Sequence, residues 1–492
     1  MSKIELSISQ GYYESESAQL ADQACVNVYP KHAETKDAVS MGALFRTPGL
    51  SQVSTVGGAG RGMLRDTKLE YLYIVAGTNL YRKVNIGSIT TIGTISGTGK
   101  VSMAYNGTVL VIIVPGSAGY FYTVSGGLVA ITDAIFLDFM NNSAGGVTSV
   151  CLKDDRFIYT TDDEFFVGST ATVNNGRDFD ALDYEDAEVL SDPIIRAMTI
   201  KNELYMFGKE TIELYQNVGG SSFPFTRIPG ATIEKGVVSR FGVIAFDNSF
   251  LFLGSNALEA PAIWRGNSGT ATKVSTAAID YVIQSYTQIE LESVDCWSYT
   301  DGGSYFVGFN FPNQTFVYDA TASAIQQRPI WHERTSAGTK YRVNDVVNVF
   351  GQNVVTDNVD GKVGYMRRTV FTEYAVASTR TFGGAYLQNG GSSFNIGMVE
   401  LKVNGGSSNI KGTDGGDATV EMSYSVNGGA TYISAGTRRV GIKGDFMKRL
   451  IWRRIGRVPY DVLFRFTTSD PIEFDAYRLD INVTASSRGQ QA

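Results

Sequence analysis

Cysteine and histidine are nearly missing from this chain, and each shortage removes a class of chemistry. The three cysteines, Cys25, Cys151 and Cys296, are odd in number and widely separated. They form neither a disulfide framework nor a Cys-x-x-Cys metal site, and read as buried, idle thiols. The two histidines, His32 and His332, stand three hundred residues apart and cannot assemble an imidazole dyad or a His-rich metal centre. Long apolar runs are lacking too: the longest, Val109 to Val114, is far short of what a bilayer requires, so no spanning helix is expected. The opening MSKIELSISQ has no charged segment leading into an apolar one, so the expectation is synthesis in a cytoplasm without secretion or membrane insertion. There is no GxSxG, no Walker loop and no GxGxxG between a strand and a helix, and nothing pairs two carboxylates across a sugar-sized gap. These absences point to a structural or binding protein, with no catalytic residue, metal or cofactor expected.

What the chain does contain is β-forming sequence. It has 54 Gly, 26 Tyr and 27 Phe against 11 Pro in 492 residues, with Thr and Val throughout, which suits half-buried pleated strands. From about Arg61 one pattern recurs: an alternating strand, a polar turn, an apolar strand ending near Gly, and a third strand rich in Leu and Tyr. It reads as TKLEYLYIVAGTNLYRKV at 67–84 and GKVSMAYNGTVLVIIVPGSAGYFYTV at 99–124, with three more copies starting at Val147, Ile194 and Val237. A sixth runs over 294–320 and a seventh over 342–366. Starts fall roughly 40–55 residues apart, as expected for one four-stranded propeller blade per repeat. The turns Lys201-Asn202, Asp247-Asn248 and Asp301-Gly302 sit at the same point of their units, against a string of unrelated meanders.

The expected architecture is therefore mainly β: an irregular β-propeller of six or seven blades over 46–372, preceded by an N-terminal arm over 1–45 that packs on later structure. A C-terminal β-sandwich follows over 373–488. Before the sixth unit KVSTAAIDYVIQSY places Ile279, Val282, Ile283 and Tyr286 on one helical face after a Ser275 or Thr276 cap, the best helix in the chain. In the C-terminal part, Gly-Ser loops separate strictly alternating strands. Val420, Met422, Tyr424 and Val426 make one face, and Tyr477, Leu479, Ile481 and Val483 another. The closing ASSRGQQA reads as a polar tail.

Three stretches invite a chemical reading. Between Asp178 and Asp192 lie seven acids and no base, but without the glycine an EF-hand loop needs, so an exposed acidic connector outranks a calcium site. Ser425, Asn427, Gly429, Thr431 and Tyr432 approximate the Asp-box of sialidase-like propellers, a turn-stabilising motif without a catalytic group. That motif and the blade repeats support the alternative of a glycan-binding or glycan-cleaving β-propeller. The third stretch, RRVGIKGDFMKRLIWRRIGR at 438–457, carries about +7 in a chain of net charge -7. Its Phe446, Leu450, Ile451, Ile455 and Val458 suit a helical face, whereas Val462, Phe464 and Phe466 alternate as a strand, so a helix-to-strand change is expected near Gly456 and Pro459. The patch suits DNA phosphates, with a log-log salt slope of about -4, or an acidic protein surface.

These same stretches carry a resemblance. KRLIWRRIGRVPYDVLFRF at 448–466, GKVSMAYNG at 99–107, ALDYEDAEVLSDPI at 181–194, TAAIDYVIQSYT at 276–287 and TFVYDATAS at 315–323 resemble, in order and spacing, the packaged-DNA-stabilisation proteins of short-tailed phages. That family comprises the tail hub or nozzle proteins. The resemblance implies a structural virion protein of the tail and no catalytic residues to carry over. It implies a homohexameric ring beneath the portal ring and head-to-tail adaptor, contacts with a tailspike or tail fibre and with a needle or plug, and closure of the head after packaging. DNA would pass through the channel for genome ejection without sequence-specific binding. A ring of such acidic chains would repel DNA and let it slide. The basic stretch then reads as a subunit or partner interface, with Trp452 as packing anchor and Lys448, Arg449, Arg453, Arg454 and Arg457 as the charged rim.

Overall fold

The computed structural model describes residues 2–18, 20–35, 40–68, 70–85, 87–168, 177–186, 192–219, 224–384, 386–404, 416–445 and 448–485. Among them, seven antiparallel sheets follow one another along the chain as propeller blades. Blade 1 is Gly60–Arg65, Tyr71–Ala76, Asn79–Val84 and Ile89–Thr94; blade 2 starts at Ser102–Tyr105, blade 3 at Ser149–Lys153 and blade 4 at Ile194–Ile200. Blade 5 starts at Val243–Phe246, blade 6 at Asp295–Asp301 and blade 7 at Val343–Val349. The second strand of each unit is the apolar one because a neighbouring blade covers each of its faces, so alternation gives way to continuous burial, as in Leu110–Val114. In blades 3, 5 and 6 the hairpin between first and second strands turns on two left-handed residues, Asp154-Asp155, Asp247-Asn248 and Gly302-Gly303, the geometry that matches the strand twist, whereas in blade 4 only Lys201 is left-handed.

Blade 7 settles the count. It contributes only three consecutive strands after residue 342, and its fourth is Gly49–Thr55, from the other end of the chain, antiparallel to Lys362–Arg367 with Gly49 opposite Arg367. This strand closes the ring. The first strand of blade 7 lies beside that of blade 1, where the Asn344 side-chain amide donates to the Gly60 carbonyl.

The C-terminal sandwich has two sheets. One runs Leu450–Val458, Phe394–Val403, Asp475–Ala485, Gly42–Arg46, Val28–His32, with Ser2–Leu6 also on Asp475–Ala485. The other runs Ile433–Arg439, Thr419–Ser425, Asp461–Thr468, Arg380–Gly383, Cys25–Val26, and joins the last strand of blade 6 through a parallel pair, Glu333 with Val26. The segment expected as an arm is thus woven into both sandwich sheets and splices them to the propeller. Asn27 is the rivet. In the left-handed conformation and buried, its amide donates to the carbonyls of Thr335 (3.2 Å) and Thr379 (2.8 Å), while its oxygen accepts from the Thr335 N–H at 3.0 Å. The sandwich core, with Phe382, Met422, Trp452, Phe466 and Ile481, is continuous with the packing beneath blades 5 and 6.

Helices are few. Ala277–Gln284 forms with Ile279 and Ile283 buried; Thr276 occupies the cap position without a side-chain bond, and Ser275 instead donates to Asp280 at 2.6 Å. A helix not expected from the sequence, Ala134–Asn142, is one residue longer. Asp133 caps it by accepting from the N–H groups of Ile135 and Phe136, and Phe136 and Met140 face the core of blades 2 and 3. The helical face expected from Leu450, Ile451, Ile455 and Val458 is not present. Leu450, Trp452 and Val458 are buried while Ile451 and Ile455 are half-buried on the outward side, so the apolar residues belong to two faces of a strand. A bulge, with Arg454 at φ 59° and three steps from Arg453 to Gly456 against two from Met398 to Ile396, imitates helical spacing. Phe446, most of the Gly-Ser loop at 404–415 and the tail after Ala485 lie outside the described residues.

Candidate functional site

The basic stretch becomes the free edge of the sandwich. Leu450–Val458 is the last strand of one sheet and Ile433–Arg439 the last of the other, so both sheets end side by side. The two edges are tied where the Arg438 Nε–H donates to the Ile451 carbonyl at 2.6 Å and the Trp452 indole donates to the Gly436 carbonyl at 2.8 Å. Charge on an exposed edge strand also blocks unwanted strand addition.

The structure divides the residues singled out there. Trp452 is not an interface anchor: it is 0% exposed, packed against Phe466 with ring centroids 5.7 Å apart, and covered by Arg438 at 5.6 Å. Strand alternation turns it inward with Leu450, and the sandwich core consumes the area a partner would have used. Arg449 already has a carboxylate, Glu400, held by two parallel bonds of 2.6 and 2.7 Å. Those bonds hold the Glu400 carboxyl below its ordinary pKa range despite its burial. Lys448, Arg453, Arg454 and Arg457 are exposed, and Arg457 donates to the Ser393 hydroxyl at 3.1 Å. Among the described residues no carboxylate forms an ion pair with these four, nor with Lys443.

The propeller axis is a second place where function could reside, and sequence offered no hint of it. First strands of blades 1, 2, 4, 5, 6 and 7 surround a cavity of about 200 Å³ lined by Arg61, Lys100, Met103, Arg196, Cys296 and Asp345, among others. Lys100 bridges Asp295 at 3.3 Å and Asp345 at 3.1 Å and donates to the Asn344 carbonyl at 3.0 Å. Burial alone would lower the Lys100 pKa, but the two carboxylates outweigh it and hold it above its ordinary value. Each member comes from a different blade or inter-blade turn, which is why no local motif announces the cluster. A space of about 200 Å³ has room for a few waters and none for a polymer.

The Asp-box-like hairpin is a structural turn. The Asn427 side-chain oxygen accepts from the Ser425 hydroxyl at 2.8 Å and the Thr431 N–H at 3.0 Å, and Gly429 N–H donates to Ser425 at 3.0 Å. Tyr432 extends from it to donate to Asp22 at 2.5 Å, with Arg465 stacked 4.2 Å over the ring, locking the N-terminal segment to the sandwich. Of the acidic stretch, Phe179–Asp186 forms the outermost strand of blade 3, and residues 187–191 lie outside the described residues.

The fold is thus a seven-bladed propeller with ion pairs about its axis, spliced to a sandwich whose edge carries bases without an ion-pair partner among the described residues. Comparison with known proteins gives the class its family. The description "Bacteriophage P22 Gp10, beta-propeller" matches residues 4–371 and "Bacteriophage P22 Gp10, beta-sandwich" matches 379–484. The tail hub protein gp10 of Salmonella phage P22 is 24% identical over 343 residues, 68% of this chain and 71% of that protein. The chain belongs to this tail hub family of short-tailed phages. Among solved structures, the extracellular domain of the BT4673 hybrid two component system of B. thetaiotaomicron is 10% identical with a TM-score of 0.41, over 65% of this chain and 40% of that one. The N-terminal domain of Nup159 is 10% identical with a TM-score of 0.40, over 70% of this chain and 99% of that one. At those scores neither bears on function. The family boundary near 371–379 follows the chain rather than the sheets, since Ser2–Leu6, Cys25–Val26, Val28–His32 and Gly42–Arg46 belong to the sandwich.

Proposed function

We propose that this chain is the tail hub, or nozzle, of its virion: six copies form a ring beneath the portal and adaptor that closes the head after packaging and forms the DNA exit channel. The family match across both domains, in order, carries this reading. Two features of the chain support it. The filled propeller axis means that any channel for DNA lies between copies rather than through one. The net charge of -7 per copy favours a wall that repels phosphates and lets the duplex slide, while the basic edge faces a protein partner instead of the lumen. In this role the chain needs no cofactor and no catalytic group; tailspike or fibre, and a needle or plug, are further partners at the same tail.

The test is the size of the particle. Native mass spectrometry or electron microscopy of the purified chain with its portal and adaptor is expected to give a ring of six 53.3 kDa chains, about 320 kDa. A chain that stays monomeric beside both partners contradicts the proposal.

A further inference from the structure

The two sheets of the sandwich present opposite charges to solvent, one on each outer face. We propose that the basic outer face of one sandwich docks on the acidic outer face of the sandwich in a second copy of this chain. The proposal deepens the ring reading above and rests on it.

Strand alternation about the shared core fixes which side chains face outward. In the sheet that ends at Leu450–Val458, the residues Val399, Leu401, Leu450, Trp452, Leu479 and Ile481 point into the core. Their neighbours along each strand therefore point out. Over this strand, Phe394–Val403, Asp475–Ala485 and Ser2–Leu6, the outward side carries six bases, Lys3, Lys402, Arg449, Arg453, Arg457 and Arg478, against Glu5, Glu400 and Asp480. The bases cover two of these acids. Asp480 is 0% exposed beside Lys3 at 2.9 Å, Lys402 at 3.3 Å and Arg478 at 2.8 Å, and Glu400 is buried under Arg449. What reaches solvent is cationic, and Arg453 and Arg457 are left without an ion-pair partner among the described residues.

In the other sheet Val420, Met422, Phe464 and Phe466 point inward, which turns Glu421, Asp461 and Arg465 outward. The short hairpin of Tyr13–Glu14 and Asp22–Gln23 lies on this side, with Glu14 3.8 Å and Asp22 3.2 Å from Arg465, and Glu16 exposed between its strands. Counting Asp417, 3.7 Å from Arg439, the face sets six acids against two bases. Glu16, Glu421 and Asp461 have no ion-pair partner among the described residues; Glu421 accepts from the Ser434 hydroxyl at 2.7 Å. Two packed sheets turn their solvent sides away from each other, so one copy cannot bring its own faces together. A nucleic acid would satisfy the basic face alone, whereas a second copy satisfies both. Arginine forks on carboxylates supply register as well as attraction. Each face also has apolar area to bury: Met398 and Ile451, half-buried on the basic side, and Leu20, 69% exposed, in the acidic hairpin. Because the two faces differ, the contact is head-to-tail, the kind that closes into a ring when the rotation permits.

Charge reversal at four exposed residues tests the pairing in the full-length chain. Arg453→Glu/Arg457→Glu on one face and Glu16→Lys/Glu421→Lys on the other are each expected to weaken self-association by on the order of a hundredfold in sedimentation velocity. Circular dichroism and melting are expected to stay close to those of the wild type. In an equimolar mixture of the two variants every contact between unlike copies is either the native pairing or its sign-inverted counterpart, and one chain with all four changes inverts every contact. Both are expected to assemble within about tenfold of the wild type. Failure of both rescues, or either double variant assembling like the wild type, overturns the pairing and leaves the ring standing. So does an Arg453→Glu/Arg457→Glu chain that assembles normally but no longer binds duplex DNA, which would make the face a nucleic-acid surface. A wild-type chain that never self-associates overturns the ring reading and this pairing with it.

Discussion

At the scale of single residues, the same stretch holds side chains with opposite fates. Trp452→Ala is expected to cost about 3–5 kcal/mol in urea or thermal unfolding, because it empties a fully buried site, whereas Trp452→Phe keeps most of the packing. Nothing in the local sequence distinguishes a tryptophan that anchors a partner from one that fills its own core; the distinction is made by Phe394–Val403 and Asp461–Thr468, which flank or cover it from other parts of the chain. The exposed arginines around it were legible, since no strand of this size hides so many charges. The bulge at Arg454 was not, because its spacing imitates a helix. A second residue gives a pH signature. Burial raises the Asp319 carboxyl to about 7, although it caps the helix Ala320–Gln326 by accepting from the Ala322 N–H at 2.9 Å. A folded-state pKa above the unfolded value of about 3.9 means the folded state holds the proton more tightly, so this site loses stability as pH rises from about 4 through 7. Asp319→Asn is expected to be more stable than the wild type by roughly 1–3 kcal/mol near pH 8, with the advantage fading toward about pH 4 in a urea titration series. Glu400 runs the other way: Arg449 depresses it, so its contribution is present at neutral pH and is lost as acid protonates it.

At the scale of elements, the blades could be read because each repeats one hairpin with the same turn chemistry, and the ring closure could not because its two strands lie at opposite ends of the propeller sequence. Gly49 shows how tight that closure is. A Cβ there would stand 2.5 Å from the carbonyl oxygens of both Val370 and Thr372, which are backbone atoms with little room to yield. Gly49→Ala is therefore expected to loosen the closing strand, costing roughly 1–3 kcal/mol and opening blade 7 to protease cleavage ahead of the other blades, as mapped by limited proteolysis and mass spectrometry. The helix Ala134–Asn142 did leave a trace, Asp133 ahead of Phe136 and Met140, but it sits inside a β repeat whose pattern dominates. The N-terminal segment was opaque for a different reason. Its strands are short and irregular, and Ser2–Leu6, Cys25–Val26 and Gly42–Arg46 also depend on partners hundreds of residues away.

At the scale of the whole molecule, propeller and sandwich share sheets rather than merely touching, so the subunit is expected to unfold as one cooperative unit in calorimetry, with no separate sandwich transition. The basic stretch, which in sequence suits DNA phosphates or an acidic protein surface and reads with the family resemblance as an interface, is in three dimensions the edge of both sandwich sheets, four strands from the strands next to the propeller. The strand that closes the propeller has a bearing on how the protein is made. Gly49–Thr55 leaves the ribosome early, but its partner Lys362–Arg367 follows about three hundred residues later, and Ser2–Leu6 and Gly42–Arg46 wait longer still for Asp475–Ala485. At about 5–20 residues per second that is on the order of 15–60 s during which Gly49–Thr55 lacks the strand that closes the ring. A chain that ends before Lys362 lacks the closing pair, and one that ends before Leu450 still lacks the charged edge, so both features form only late in synthesis.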